Sequence, residues 1–314
     1  MLIQDVLNKP GKNVFFVNLK IRPDIEVEKA LEAFRDFCGN LTEINNSIKL
    51  RFDKDEFKSS VALSRHCWDM FFPNTTPPKE LVTFEPIQGP RFTAPATEGD
   101  IFVHLRARNT DICYEALKQY MVFLGDITES VYEIHGFGYQ DGRSIIGFVD
   151  GTANPQDDDA CEAALIGDED PDYKNGSYMF TQKYLHDMQG WETLSVEQQE
   201  EIIGRHKFND MQLTNKKPSA HVEISKAYDD EGNELDILRA NVIFAEPSKN
   251  QYGTFFISYS KHFSTVHQML RHMFQGNDKA SHDKLLEYST AVTGTLFFVP
   301  SKETLGAMAD GSID

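Results

Sequence analysis

The chain has 314 residues, of which 40% are hydrophobic and 25% are charged, as in ordinary globular proteins. A chain of this length suits two domains of about 150 residues each. Its 31 basic and 49 acidic residues give a net charge of −18, which repels phosphate backbones and anionic lipid, so we expect no nucleic acid and no membrane among its partners.

The N-terminal residues contain no basic stretch followed by a long apolar run, so we expect no secretory signal. Also, no segment approaches the ~18 uninterrupted apolar residues of a membrane span. The four cysteines (Cys38, Cys67, Cys113 and Cys161) are scattered without a CxxC pair, which argues against a disulfide framework, a thiolate zinc site and a thioether-linked haem. Isolated thiols of this kind fit a reducing compartment, and we therefore expect a cytoplasmic protein.

Hydrophobic periodicity predicts the main elements of the first half in chain order. A short apolar run predicts a strand at 14–19, and a stripe with a 3.6-residue period predicts a helix at 24–41. Another strand is predicted at 101–105 and a second helix at 111–124.

The second half has a similar order of predicted elements, with a helix at 263–275 and strands at 220–224, 241–244, 254–259 and 294–299. Strand–helix–strand order with spacing typical of antiparallel sheets predicts two α+β units. We place the boundary between them within 136–141, which gives an N-terminal domain at 1–138 and a C-terminal domain at 139–314.

The segment IIGFVDGTANPQ places a carboxylate, Asp150, at the end of an apolar run and directly before turn-forming residues. One interpretation is a turn aspartate that accepts hydrogen bonds from nearby backbone amides. Another is a phosphatase nucleophile of the DxDGT type. That chemistry requires a second carboxylate two residues earlier, where this chain has Phe148, so the motif is incomplete.

Other polar residues also lie in apolar surroundings. Arg239 has apolar neighbours, so it either pairs with a carboxylate or binds an anionic ligand. Asn241 shares its face if this segment is a strand. His221 begins a predicted strand and carries little signal alone, and the charge of Asp283 is explained by the start of a helix.

Taken together, these segments resemble the signature of the dye-decolorising peroxidases, specifically the bacterial class-B branch. The core of that signature is G-x-x-D-G, which here is Gly147-Phe-Val-Asp150-Gly151. The likeness continues through GSYMFTQKY, EEIIGR, AHVE, ILRAN and STAVTGTLFF, and more faintly through IFVHLRAR in the first half.

The resemblance implies two ferredoxin-like domains, each an antiparallel sheet packed with helices, with non-covalent haem b in the second. It implies that His221 is the iron ligand and that Asp283 accepts the other N–H of its ring. On the opposite, distal face it implies a catalytic group made of Asp150, Arg239 and Asn241.

Four further residues are assigned by the same resemblance. Arg205 is expected to face a haem propionate and Phe256 to line the distal face, while Gly147 and Gly151 are expected to let the backbone approach the porphyrin closely. The chain departs from the usual R-x-N-M-P by having Val-Ile after Asn241, and it has Thr254 where similar proteins often carry leucine. Both departures lie near the distal face.

The implied activity is that of a haem-dependent peroxidase, which reduces hydrogen peroxide while it oxidises a small organic donor such as a dye or phenol. An alternative is a haem-handling protein that stores haem or releases its iron, with incidental peroxidase activity. A third is an α+β scaffold without cofactor. The resemblance also implies a homo-oligomer.

Overall fold

The computed structural model describes residues 2–8 and 11–314, in which strands and helices alternate. The strands are β1 (Asn13–Ile21), β2 (Lys58–Ser64), β3 (Ile87–Gln88), β4 (Thr93–Ala94), β5 (Ile101–Ala107), β6 (Thr128–Phe137), β7 (Ser177–His186), β8 (Ala227–Tyr228), β9 (Glu234–Leu235), β10 (Leu238–Glu246), β11 (Gln251–Ser260), β12 (Ser289–Ala291) and β13 (Thr295–Val299). The α-helices are α1 (Val27–Arg51), α2 (Arg65–Phe71), α3 (Thr110–Leu124), α4 (Asp157–Ala164), α5 (Met188–Glu192), α6 (Val196–Ile203), α7 (His221–Ile224), α8 (Phe263–Gln275) and α9 (Lys302–Ala309). Short 3-10 helices cover Asp53–Asp55, Pro171–Tyr173, Pro247–Lys249 and Lys284–Glu287.

The two halves of the chain have the same antiparallel topology. In the first, the strands lie in the order β6-β1-β5-β2, with α1 and α3 as the connecting helices. In the second, the order is β13-β7-β11-β10, and α8 connects β11 to β13 through β12. In both halves the fourth strand therefore lies beside the first, and the third lies between the first and the second. This is the ferredoxin-like arrangement, which confirms the predicted α+β class.

The two sheets join at both edges and close into an eight-stranded barrel. One seam pairs β2 with β13 over two residue pairs, and the other pairs β6 with β10 at the single pair Phe137–Ile243. β12 extends the same edge of β7 beyond β13. Both seams are short, so parts of the strand edges beside them have no neighbouring strand.

Side chains alternate between the inside and the outside of the barrel, as the geometry of a strand requires. In β1, Phe16 points inward and stacks on Phe255 at a centroid distance of 4.2 Å, while Phe15 points outward. The outward residues pack against the helices, for example against Phe34 and Phe37 of α1. The barrel interior and its helical cover therefore form two separate hydrophobic cores.

A buried glutamine side chain supports the edge of the β2–β13 seam. The amide of Gln4 donates to the carbonyl oxygens of Val61 and Pro300, both at 2.9 Å, and accepts from the Val61 N–H at 2.8 Å. Only 6% of Gln4 is exposed. Its amide satisfies backbone groups that a longer strand pairing would otherwise satisfy.

Most of the predicted elements are present, but two predictions need correction. The strand predicted at 220–224 is wrong, because His221–Ile224 forms one helical turn after Ala220. An apolar run this short is compatible with the period of a strand and with that of a helix, and no described strand pairs with it. Helix α1 continues to Arg51, ten residues beyond its predicted end, because Ile44 and Ile48 extend its apolar stripe. Among the described residues, no helix has the length and apolar character needed to cross a membrane.

His186, the last residue of β7, connects three strands. Its Nδ1 lies 2.6 Å from Oγ of Ser289 on β12, and its Nε2 lies 2.7 Å from Oγ1 of Thr254 on β11. Burial lowers the pKa of His186 from 6.5 to about 4, since desolvation disfavours the imidazolium. The folded protein therefore holds the ring neutral at pH values where the unfolded chain protonates it.

This difference predicts a loss of stability in acid. Between pH 6.5 and about pH 4 the unfolded state binds more protons at His186 than the folded state, so the free energy of unfolding falls as the pH falls. When the pH is lowered from 7 to 4, the free energy of unfolding of the cofactor-free wild-type protein should fall by about 3 kcal/mol more than that of the His186→Gln variant. Urea unfolding of both proteins at the two pH values measures this difference. An equal fall in the free energy of unfolding of both proteins would contradict the lowered pKa of His186.

Candidate active site

A cavity in the C-terminal half lies between barrel strands β10 and β11 and helices α7 and α8. It contains about 1280 Å³ of space free of protein atoms, part of which is open solvent. Much of its wall is apolar and includes Phe148, Ile203, Phe256, Val266, Leu270 and Leu286. A large apolar space with a few polar groups is typical of a site for an organic cofactor.

His221 lines this cavity and is held by a buried carboxylate. Its Nδ1 lies 2.6 Å from Oδ2 of Asp283, whose side chain is fully buried. The other carboxylate oxygen of Asp283 accepts the N–H of Leu285 at 2.9 Å and so caps the 3-10 helix that follows. Because the carboxylate accepts the Nδ1 proton, the lone pair of the neutral imidazole is on Nε2, which has no hydrogen bond among the described residues.

Asp150 follows a tight turn rather than a strand. The bridge between Arg143 and Val149 closes the turn, and the Asp150 N–H donates to the carbonyl of Gly142. The apolar run before Asp150 is anchored where Trp191 donates its indole N–H to the carbonyl of Ile146 at 3.1 Å. The burial of this run therefore fixes the position of the carboxylate at its end.

Asp150, Arg239 and Asn241, called here the polar trio, line the same cavity as His221. The backbone N–H of Asn241 donates to Oδ2 of Asp150 at 3.1 Å, and its side-chain Nδ2 donates to Oδ1 at 3.2 Å. Arg239 lies two residues earlier on β10 and therefore on the same face. No carboxylate of the described residues forms an ion pair with its guanidinium, so its charge remains available to a ligand.

Arg205 also lines the cavity, but its charge is already paired. It follows Gly204, whose left-handed backbone ends α6, and its Nη1 donates to Oδ2 of Asp210 at 3.0 Å. The hydroxyl of Thr152, in the turn after Asp150, donates to the same carboxylate. A ligand carboxylate near Arg205 would therefore compete with Asp210.

The remaining predicted residues differ in position. Phe256 and Gly151 line the cavity, whereas Gly147 is not among the residues of its wall. The backbone of Gly147 is left-handed, with φ of +93°, and a Cβ there would come within 2.6 Å of the Lys207 side chain. The left-handed backbone of the turn accounts for this glycine, since the flexible end of the Lys207 side chain could move aside.

A second cavity reaches the polar trio from the end of the barrel. It has about 2240 Å³ of protein-free space, including open solvent, and it is lined by His104, Tyr259 and the polar trio. The trio therefore lies between the two cavities, where a small molecule entering through the barrel end would meet it.

Several residues of the site had no clear sequence signal. His186 and Ser289 line the first cavity beside Thr254, which the sequence marked only as a departure from leucine, and the contacts of His186 with both depend on strand pairing. Asn154 lines both cavities, and in the sequence it reads as a turn residue before a proline.

The residues present fit a haem group. An imidazole with a free Nε2, supported on its other nitrogen by a carboxylate, is the ligand that peroxidase haem iron takes. The apolar wall suits a porphyrin, and the polar trio provides an acid, a cation and an amide in the same cavity.

Comparison with known proteins agrees with this geometry. Models of the Dyp-type peroxidase N-terminal and C-terminal regions match residues 4–138 and 141–304. A dye-decolorizing peroxidase from Brevibacterium linens is 38% identical over 304 residues, which are 96% of this chain and 81% of that protein. These names favour a peroxidase over the alternative of haem storage or iron release.

Solved structures give the same result. The crystal structure of a dye-decolorizing peroxidase from Bacteroides thetaiotaomicron has a TM-score of 0.93 and 43% identity, covering 98% of both chains. A variant of DypB from Rhodococcus jostii, solved in complex with haem, has a TM-score of 0.91 and 40% identity over 97% of each chain. With matches along almost its whole length, the chain belongs to the Dyp-type peroxidase family and is a haem-dependent peroxidase that reduces hydrogen peroxide and oxidises an organic donor.

Proposed function

We propose that haem b binds non-covalently in the first cavity, with Nε2 of His221 as the iron ligand. The observation that supports this most directly is the His221–Asp283 pair on the same cavity as the polar trio. When bound, the haem iron supplies the centre at which the peroxide O–O bond is broken.

Asp283 is proposed to orient the ring and raise its basicity. Its Oδ2 accepts the Nδ1 proton of His221, which keeps the lone pair on Nε2 and directs it into the cavity. Because Asp283 is fully buried and also caps a 3-10 helix, the carboxylate cannot turn away from the ring.

The polar trio is proposed to handle the peroxide. Asp150 takes a proton from the first oxygen of hydrogen peroxide and returns it to the second, which leaves as water. The guanidinium of Arg239 stabilises the negative charge that builds on the departing oxygen, an effect of about 3 kcal/mol in a dry site. Asn241 holds both carboxylate oxygens of Asp150 in place for this transfer.

Two further contacts complete the proposed pocket. Phe256 and Gly151 lie in the cavity wall and would contact the porphyrin or the space above it. Arg205 would bind a haem propionate if the propionate displaces Asp210 from its guanidinium, because the two carboxylates compete for the same cation.

Other features of the protein follow as proposals. The division into domains at 1–138 and 139–314 is supported by the end of β6 at Phe137 and by the ranges of the two family models. Limited proteolysis, with a first cut near the boundary, tests it.

A cytoplasmic location is supported by four free cysteines, and cell fractionation tests it.

A homo-oligomer is supported by an exposed apolar surface. Phe208 is 90% exposed and the nearby Met211 is 63% exposed, as is common for residues that another subunit covers. Sedimentation velocity of the haem-loaded protein tests this, and a single monomeric species at micromolar concentration would exclude it.

One prediction of the proposed function concerns haem binding. His221→Ala should lose the Soret band that wild-type protein develops on haem addition, because the iron ligand is gone. Asp283→Asn should bind haem about 10- to 100-fold more weakly, since the ring loses its orienting acceptor. The matched control is His262→Ala, because His262 pairs with Glu80 through the same ring atom but lies outside the cavity. Equal haem affinity in His221→Ala and wild type would refute the ligand assignment.

Another prediction of the proposed function concerns the reaction with peroxide. In haem-loaded enzyme, Asp150→Asn and Arg239→Leu should each lower the second-order rate constant for peroxide by roughly 10²- to 10³-fold. Stopped-flow spectroscopy, normalised to haem content, measures this. The matched control is Asp141→Asn, because Asp141 is an exposed carboxylate in the turn that precedes Asp150. This variant should leave the rate unchanged. If Asp150→Asn and Arg239→Leu both react at the wild-type rate, the proposed roles of the trio are wrong.

A further inference from the structure

The side chain of Asn154 bonds both backbone groups of Arg239. Its Oδ1 accepts the Arg239 N–H at 3.0 Å, and its Nδ2 donates to the Arg239 carbonyl at 2.7 Å. The two residues are 85 positions apart in the sequence. One amide therefore replaces a neighbouring strand at this point of β10.

This contact forms because the edge of β10 is open there. Along its whole length β10 pairs with β11, but on its other edge it pairs with β6 only at Ile243. The backbone groups of Arg239 and Asn241 on that edge need other partners, because a backbone polar group that is shielded from water without a hydrogen bond is destabilising. Asn154 supplies them for Arg239, and Asp150 accepts the Asn241 N–H.

The turn after Asp150 is attached through alternate side chains. Asp150 and Asn154 bond to β10, and Thr152 between them bonds to Asp210. Three attachments within five residues give the turn a single position relative to Arg239.

We infer that Asn154 is a positioning residue that fixes the guanidinium of Arg239 over the cavity. The guanidinium has no ion pair among the described residues, so its location depends on the backbone from which it extends. The amide of Asn154 holds that backbone on the side where no strand does. This inference rests on the proposed role of Arg239 in the reaction with peroxide.

Two variants test it. Asn154→Ala removes both bonds, and Asn154→Asp keeps an acceptor for the Arg239 N–H but places a carboxylate oxygen against the Arg239 carbonyl. In haem-loaded enzyme, Asn154→Ala should lower the rate constant for peroxide by roughly 10- to 100-fold, because misplacing a catalytic group by about 1 Å has effects of this size. Asn154→Asp should be at least as slow as Asn154→Ala, because its second carboxylate oxygen repels the Arg239 carbonyl.

A second measurement requires no haem. Amide hydrogen exchange in the cofactor-free protein should be faster at Arg239 in Asn154→Ala, because its N–H has lost its acceptor. In Arg239→Leu the backbone bond to Asn154 remains, so exchange at residue 239 should stay slow. This readout follows the backbone contact itself and not the activity.

A double variant separates the inference from the proposed function. If Asn154 acts through Arg239, adding Asn154→Ala to Arg239→Leu should cause little further loss, because the two changes remove the same contribution. A slow Arg239→Leu together with a wild-type rate in Asn154→Ala would refute the inference alone. A wild-type rate in Arg239→Leu would refute the proposed role of Arg239, on which the inference rests.

The matched control is Gln4→Ala. Gln4 bonds the backbone of Val61 through the same amide geometry, but at the other seam of the barrel and away from the polar trio. Gln4→Ala should react with peroxide at the wild-type rate. If it slows as much as Asn154→Ala, the effect is a general loosening of the barrel, and the inference is wrong.

Discussion

The open edge at the start of β10 links the fold of this peroxidase to its site. A strand in a closed barrel normally has a partner on both sides, but here β6 reaches β10 at a single residue pair. Backbone groups that are left without a partner must bond elsewhere. Asp150 and Asn154 provide these bonds, so the incomplete seam brings the turn that carries Asp150 to the strand that carries Arg239 and Asn241.

At the opposite seam, between β2 and β13, a side-chain amide also bonds the free backbone groups, but the polar trio is not there. Gln4 bonds Val61 and Pro300 through one amide, although Gln4 and Pro300 are 296 residues apart. A side-chain amide works at both seams because it carries a donor and an acceptor, as each peptide unit does. The difference lies in what surrounds it: at the β6–β10 seam the neighbouring groups are charged or polar and face two cavities. Both seams of the barrel are therefore completed by side-chain amides, and the β6–β10 seam lies beside the polar trio.

Sequence pattern predicted the elements with a strong period, such as α8, but not the contacts between distant segments. The strand β6 alternates polar and apolar residues too irregularly to be recognised, and the short run after Ala220 fits a strand or a helix equally well. The family resemblance predicted a group made of Asp150, Arg239 and Asn241, which do line one cavity, but it did not predict the contacts between them. Asp150 bonds to Asn241 across 91 residues and forms no ion pair with Arg239, an outcome that depends on the barrel seam and not on local periodicity.

The two carboxylates of the site illustrate how surroundings divide roles between identical side chains. Both oxygens of Asp283 accept N–H groups, from His221 and from Leu285, in a fully buried position, so this carboxylate is fixed in place by the protein. Asp150 is held by the two N–H groups of a single residue and is partly exposed between two cavities. Each of its oxygens keeps a lone pair that can face a small molecule. The same chemical group is thus a fixed acceptor for His221 in one position and is accessible to small molecules in the other.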